Sequence, residues 1–127
     1  QLAGYVHAFA HSIGAKSPIP HGNAIALSLL PVMKAQKGKC QKRLAALSRH
    51  CGLADGSVSD TDACGKLLEA IGELIDLCGF ESKKEFIPKE DYKPLARAIA
   101  WDSINYTPPT VMSNRQIYSV FDTINKK

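Results

Sequence analysis

Between Ser59 and Gly79, apolar residues recur every three or four positions: Leu67, Leu68, Ile71, Leu74, Ile75 and Cys78. That spacing lines one face of a helix and is incompatible with the two-residue period of a half-buried strand. The boundaries carry their own signals. Ser59-Asp60-Thr61-Asp62 reads as an N-cap with an acidic residue three positions on, and Gly79 reads as the stop. One helix of this kind must bury its apolar stripe against others, so the rest of the chain has to supply partners.

It does so repeatedly. Gly4 to Gly14 (GYVHAFAHSIG) is an apolar helical segment closed by a glycine, and Lys16 to Pro20 (KSPIP) is a loop broken by two prolines. Asn23 to Lys34 is apolar nearly all round, as in a helix buried on most sides, and Pro31 is expected to end or kink it. Cys40, Leu44, Leu47 and Cys51 mark a further helix before Gly52. Asp91 is placed to cap a helix carrying Leu95, Ile99 and Trp101, with Pro94 in its first turn. Ser113 with Gln116 three residues on announces a last helix through Ile117, Val120 and Phe121. No strand alternation and no internal repeat stand out. The expected architecture is all-α, a multi-helix bundle of about six helices in one domain over residues 1–127.

Composition sets the outer limits. With 127 residues, 45% of them hydrophobic, the chain can bury a core of its own. A dinucleotide-dependent enzyme normally needs a nucleotide domain and a substrate domain, each about this long. The net charge of +4 falls short of the concentrated basic stripe of a nucleic-acid binder. Lys34, Lys37, Lys39, Lys42 and Arg43 cluster without interleaved aromatics, so a solvated helix face is the simpler account and no nucleic-acid partner is expected. Four scattered cysteines without a CxxC pair read as free thiols, with Cys40, Cys51 and Cys78 on apolar helix positions. No apolar run is long enough to span a bilayer, and a cytoplasmic setting without a membrane partner is expected. Trp101 and Tyr106 read as core or inter-domain packing, and His50 as exposed or partly packed.

Three histidines carry the chemistry. His7 and His11 are four residues apart and share a helix face, and His21 follows the proline loop with Gly22 behind it, where backbone can approach a site closely. Converging imidazoles can hold Zn(II) or Fe(II). The HxxxH here lacks the glutamate of a zinc hydrolase helix, because Ala8 occupies that position, so metal-assisted hydrolysis is set aside. Spacing alone leaves a competing account open, a non-catalytic helical interaction module whose histidines merely pack.

The run Gly4-Tyr5-Val6-His7-Ala8-Phe9-Ala10-His11-Ser12-Ile13-Gly14-Ala15, followed by Ile19-Pro20-His21-Gly22-Asn23-Ala24 and Leu30-Pro31-Val32-Met33, resembles a signature of the iron-containing alcohol dehydrogenases. The specific match covers residues 4 to 34, and the later helices agree in pattern with that family's helical C-terminal domain. The resemblance implies that His7 and His21 bind a catalytic Fe(II) or Zn(II). It implies that His11 lies near nicotinamide and substrate, as a catalytic and cofactor-positioning residue. NAD or NADP and a small primary alcohol or aldehyde are the implied cofactor and substrate. Two further metal ligands, an aspartate and a histidine of a DxxxH helix, are not found before His7, and the chain holds no GxGxxG turn. The chain, which opens on Gln1, is therefore read as the helical part of a longer enzyme whose N-terminal nucleotide-binding domain is absent. By itself it is expected to be inert, to bind metal weakly, and to expose apolar surface that favours a homo-oligomer. Two departures are evident. Lys16-Ser17 stand where many members carry an aromatic pair, and Thr107-Pro108-Pro109 stand where many carry an Asn-Pro-Arg-like element.

Overall fold

The computed structural model describes residues 4–80, 87–106 and 108–126, so Thr107 of the second departure lies outside it. Five α-helices follow one another: α1 (Tyr5–Lys16), α2 (His21–His50), α3 (Asp60–Leu77), α4 (Tyr92–Ile104) and α5 (Asn114–Asn125). A single 3-10 turn, Lys89–Asp91, leads into α4, and no strand occurs among the described residues. The expected all-α architecture is thus observed, with five α-helices among the described residues, close to the expected six.

The difference lies at α2. The two expected helices, Asn23 to Lys34 and the one around Cys40 to Cys51, are one 30-residue helix that runs straight through Pro31. At 1.5 Å per residue it is about 45 Å long. Pro31 lacks the N–H that would reach the carbonyl of Leu27, a loss worth about 3 kcal/mol in a helix interior. Burial offsets it. Leu27, Leu30, Pro31 and Val32 are all buried where α2 crosses from one apolar cluster into the other. One turn earlier, the buried Ser28 hydroxyl donates to the Ala24 carbonyl (2.7 Å) and so satisfies itself within the helix.

The larger cluster joins α1, the first half of α2, α4 and α5 through Tyr5, Phe9, Ile13, Leu27, Leu95, Ile99, Ile117 and Phe121. Phe9 and Phe121 meet edge to face, with ring centroids 5.4 Å apart. The Tyr5 hydroxyl accepts from the Met112 backbone N–H at 2.9 Å, which ties the start of α1 to the segment before α5. The smaller cluster is the seam of α3 on α2: Leu30, Cys64, Leu68 and Ile75. At Gly72 the two helices approach so closely that an added Cβ would stand 3.3 Å from Leu30 Cδ2.

Two of the expected caps form. Ser59 Oγ accepts from the Asp62 N–H at the start of α3. Ser113 and Gln116 complete a reciprocal capping box at the start of α5. Gly79, with φ of 64°, ends α3 in the left-handed conformation that glycine adopts without strain.

Other expectations are corrected. Asp91 makes no side-chain cap and instead pairs with Lys16 of α1 at 3.1 Å. Gly14 lies inside α1, which continues two residues further. Leu74 and Leu47 are exposed, because among the described elements α3 packs on α2 alone and that seam is narrower than the apolar stripe of the sequence. Cys51 and Cys78 are exposed and Cys40 is half-buried, each lying near a helix end or off the seam, so Cys64 is the buried thiol. Trp101 is 76% exposed and packs in neither cluster, which removes the core alternative of its expected core or inter-domain packing. Lys34, Lys37, Lys39, Lys42 and Arg43, by contrast, all face solvent as expected.

At the far end from α3, the Tyr92 hydroxyl donates to Asp122 (2.7 Å), and the Asn125 amide grips both backbone groups of Ile87. Burial and then the hydrogen bond to Asp122 push the Tyr92 phenol up from 10.0 to about 12. The folded protein therefore holds this proton more tightly than the unfolded chain. The contribution of Tyr92 to stability is complete below pH 10 and is lost as the pH rises from 10 towards 12. Denaturant midpoints measured across that range should fall more steeply for the wild type than for Tyr92→Phe, which has no phenol to titrate.

Candidate metal centre

α1 sorts its residues by face. Tyr5, Ala8, Phe9, Ser12 and Ile13 are buried, whereas His7 is half-buried and His11 exposed on the opposite side. The four-residue spacing brings the two imidazoles together, with ring centroids 4.1 Å apart. The Pro18–Pro20 loop then turns the chain back, so that His21 opens α2 beside them. Its ring lies 5.0 Å from that of His7 and 5.4 Å from that of His11. One ring nitrogen from each of the three falls within 4.8 Å of the others.

All three histidines singled out in the sequence therefore share one patch at the junction of α1 and α2. The structure adds two neighbours from the far end of α4. Asp102 Oδ2 lies 3.4 Å from His11 Nδ1, and the Tyr106 ring centroid stands 6.5 Å from that of His7. Sequence reasoning missed Asp102. It belongs to no local motif and arrives only because Leu95, Ala96 and Ile99 seat α4 against α1. An added Cβ at Gly22 would meet nothing within 4 Å, so no protein group among the described residues crowds the backbone there. His50 sits exposed at the other end of α2 and takes no part.

Electrostatics favour a neutral His7. Desolvation first, then the neighbouring His11 and His21, hold His7 below the ordinary histidine pKa, against a smaller opposing pull from Asp102. A neutral imidazole has a free lone pair, the form that binds metal. The donor set also fits a borderline divalent ion such as Fe(II) or Zn(II), for which imidazole nitrogen is a preferred ligand. Two nitrogens bound at about 2.0–2.1 Å to one zinc can stand at most about 4 Å apart. A spacing within 4.8 Å therefore asks only small side-chain rotations of half-exposed rings.

Comparison with known proteins gives this patch its context. Residues 1–125 match the Fe-containing alcohol dehydrogenase family, C-terminal. The chain belongs to this family. It is 29% identical over 120 residues to Alcohol dehydrogenase 4 of Saccharomyces cerevisiae, a match covering 92% of this chain and 30% of that protein. It is 35% identical over 77 residues to 1-propanol dehydrogenase PduQ of Salmonella typhimurium, covering 59% of this chain and 21% of that protein. A crystal structure of 1,3-propanediol oxidoreductase superposes with a TM-score of 0.85 at 25% identity, over 95% of this chain and 32% of that one. The chain thus spans about a third or less of the relatives it matches, and corresponds to the C-terminal part of the Fe-containing alcohol dehydrogenases. No described helix is long and apolar enough to cross a membrane.

Proposed function

We propose that this chain is the metal-holding helical part of an NAD(P)-dependent alcohol dehydrogenase that interconverts small primary alcohols and aldehydes. The observation that carries the reading is the convergence of His7, His11 and His21 on one face, with donor nitrogens within 4.8 Å, in a chain of this family. His7 and His21 would hold Fe(II) or Zn(II). When bound, such an ion supplies Lewis-acid polarisation to the substrate oxygen, which lowers the pKa of the hydroxyl. His11, exposed beside them, is the group placed to take up that hydroxyl proton and to line the position of the nicotinamide. The buried face of α1 anchors the helix that carries His7 and His11, through Phe9 and Ile13.

The hydride acceptor calls for a nucleotide site, and this chain contains no GxGxxG turn. The relatives are some three times longer, and we assign nucleotide binding to their remaining part. The exposed side chains of Trp101, Ile104 and Val111 lie on α4 and just beyond it, and offer that part an apolar contact. The competing account, an interaction module with packed histidines, is disfavoured because His11 and His21 are exposed. Assays with Fe(II), NAD or NADP and short primary alcohols test the reading. Metal-dependent turnover is expected from the protein joined to a nucleotide domain, and none from the 127-residue chain alone. Equal turnover after chelation would overturn the metal's role.

A further inference from the structure

The histidine patch contains one acidic group, and α4 delivers it. Asp102 Oδ2 stands 3.4 Å from His11 Nδ1, with the two side chains 32% and 50% exposed. A formed N–H···O bond is a few tenths of an ångström shorter, a gap that a small rotation of either partly solvated side chain closes. An ionised carboxylate can only accept a hydrogen bond. The two groups therefore attract only if Nδ1 carries the imidazole proton. A neutral ring with its proton on Nδ1 keeps its single lone pair on Nε2.

We infer that Asp102 is a positioning residue for this site: it holds His11 as the Nδ1–H tautomer, leaving Nε2 as the one nitrogen with a lone pair. Asp102 acts through His11 and is not itself a metal ligand. Carboxylates commonly orient imidazoles in this way at metal sites, and removing one typically costs about 10–100-fold in affinity or activity. Asp102 makes its short contact with His11, and on His7 it exerts only a weaker charge pull. The tautomer assignment stands on geometry alone. Its catalytic consequence rests on the function proposed above, in which Nε2 of His11 accepts the proton of the alcohol hydroxyl.

Imidazole 15N NMR of the metal-free chain tests the assignment directly. In the wild type, His11 should show a protonated Nδ1 and an unprotonated Nε2. Asp102→Asn, whose amide oxygen still accepts a hydrogen bond, should keep that pattern. Asp102→Ala should abolish the preference for Nδ1–H at His11 and leave the signals of His7 and His21 in place. In the metal-loaded protein that turns over alcohol, Asp102→Ala should lower kcat about 10-fold with little change in KM, and Asp102→Asn should restore most of it. A His11 pattern unmoved in Asp102→Ala, or moved as far in Asp102→Asn, overturns the inference. So does a loss of zinc affinity of about 100-fold in Asp102→Asn, which would make the carboxylate a ligand. A His11 with protonated Nδ1 in a protein that oxidises no alcohol would sink the proposed function and still support the positioning role.

Discussion

Replacing His7 and His21 together by alanine is expected to lower the affinity for Zn(II) or Fe(II) at least about 100-fold, since even the outer partners of metal ligands are worth about 10–100-fold. The expectation follows from the geometry. His7 sits on α1, His21 opens α2, and their rings lie 5.0 Å apart with donor nitrogens close enough to share one ion. Removing both leaves His11 as the single imidazole of the patch, and one imidazole is a poor trap for a divalent ion. Stability should report the same loss. An ion that binds only the folded state adds about 2.7 kcal/mol at one hundred times its Kd. Zinc should therefore raise the Tm of the wild type by several degrees and leave that of the double variant unchanged. His50→Ala, an exposed histidine outside the patch, serves as the control and should behave as the wild type. Equal titration curves for the wild type and the double variant would show that the ion binds elsewhere.

The second large effect is expected in the core beneath the site. Phe9 is 0% exposed, lies on the face of α1 opposite the histidines and meets Phe121 edge to face. Phe9→Ala removes the ring and leaves a cavity, at a cost of about 3–5 kcal/mol. A domain of ordinary stability holds only about 5–15 kcal/mol, so about a fifth or more of the margin is at stake. The Tm by circular dichroism should fall by roughly 10–20 °C for a chain of this size. Trp101→Ala gives the contrast. Trp101 is 76% exposed, outside both apolar clusters, and surface changes of that kind fall within about 0.5 kcal/mol. A Phe9→Ala protein as stable as Trp101→Ala would mean that the α1–α5 packing does not hold the fold together.

These effects bear on what a sequence can reveal. α3 and α5 were legible to the residue at their starts, because Ser59 and Ser113 act locally through backbone groups three positions away. The facing of His7 and His11 was legible for a related reason, since helix periodicity alone brings residues four apart together. Failures arose wherever a distant partner decided the outcome. Pro31 was expected to end or kink its helix; it does not end it, because burial on both sides of it carries the helix through. Asp91 carries the composition of a cap, yet Lys16, 75 positions away, takes its carboxylate. Leu74 satisfies the periodicity of α3 but not its packing, because among the described elements α3 has only α2 to lean on. Asp102 was invisible for the same reason: only the seating of α4 on α1 brings it to His11. The proximity of the three histidines could be read in advance because they come from one helix and the next turn of chain, whereas Asp102 is brought to them by tertiary structure.

The central claim is that the imidazoles at the α1–α2 junction hold one divalent ion. Diffraction from zinc-loaded crystals, recorded on both sides of the zinc absorption edge, tests it most directly. The account predicts one dominant anomalous peak bonded to ring nitrogens of His7 and His21, beside His11. A dominant peak at exposed Cys51 or Cys78, with none between His7 and His21, would contradict it.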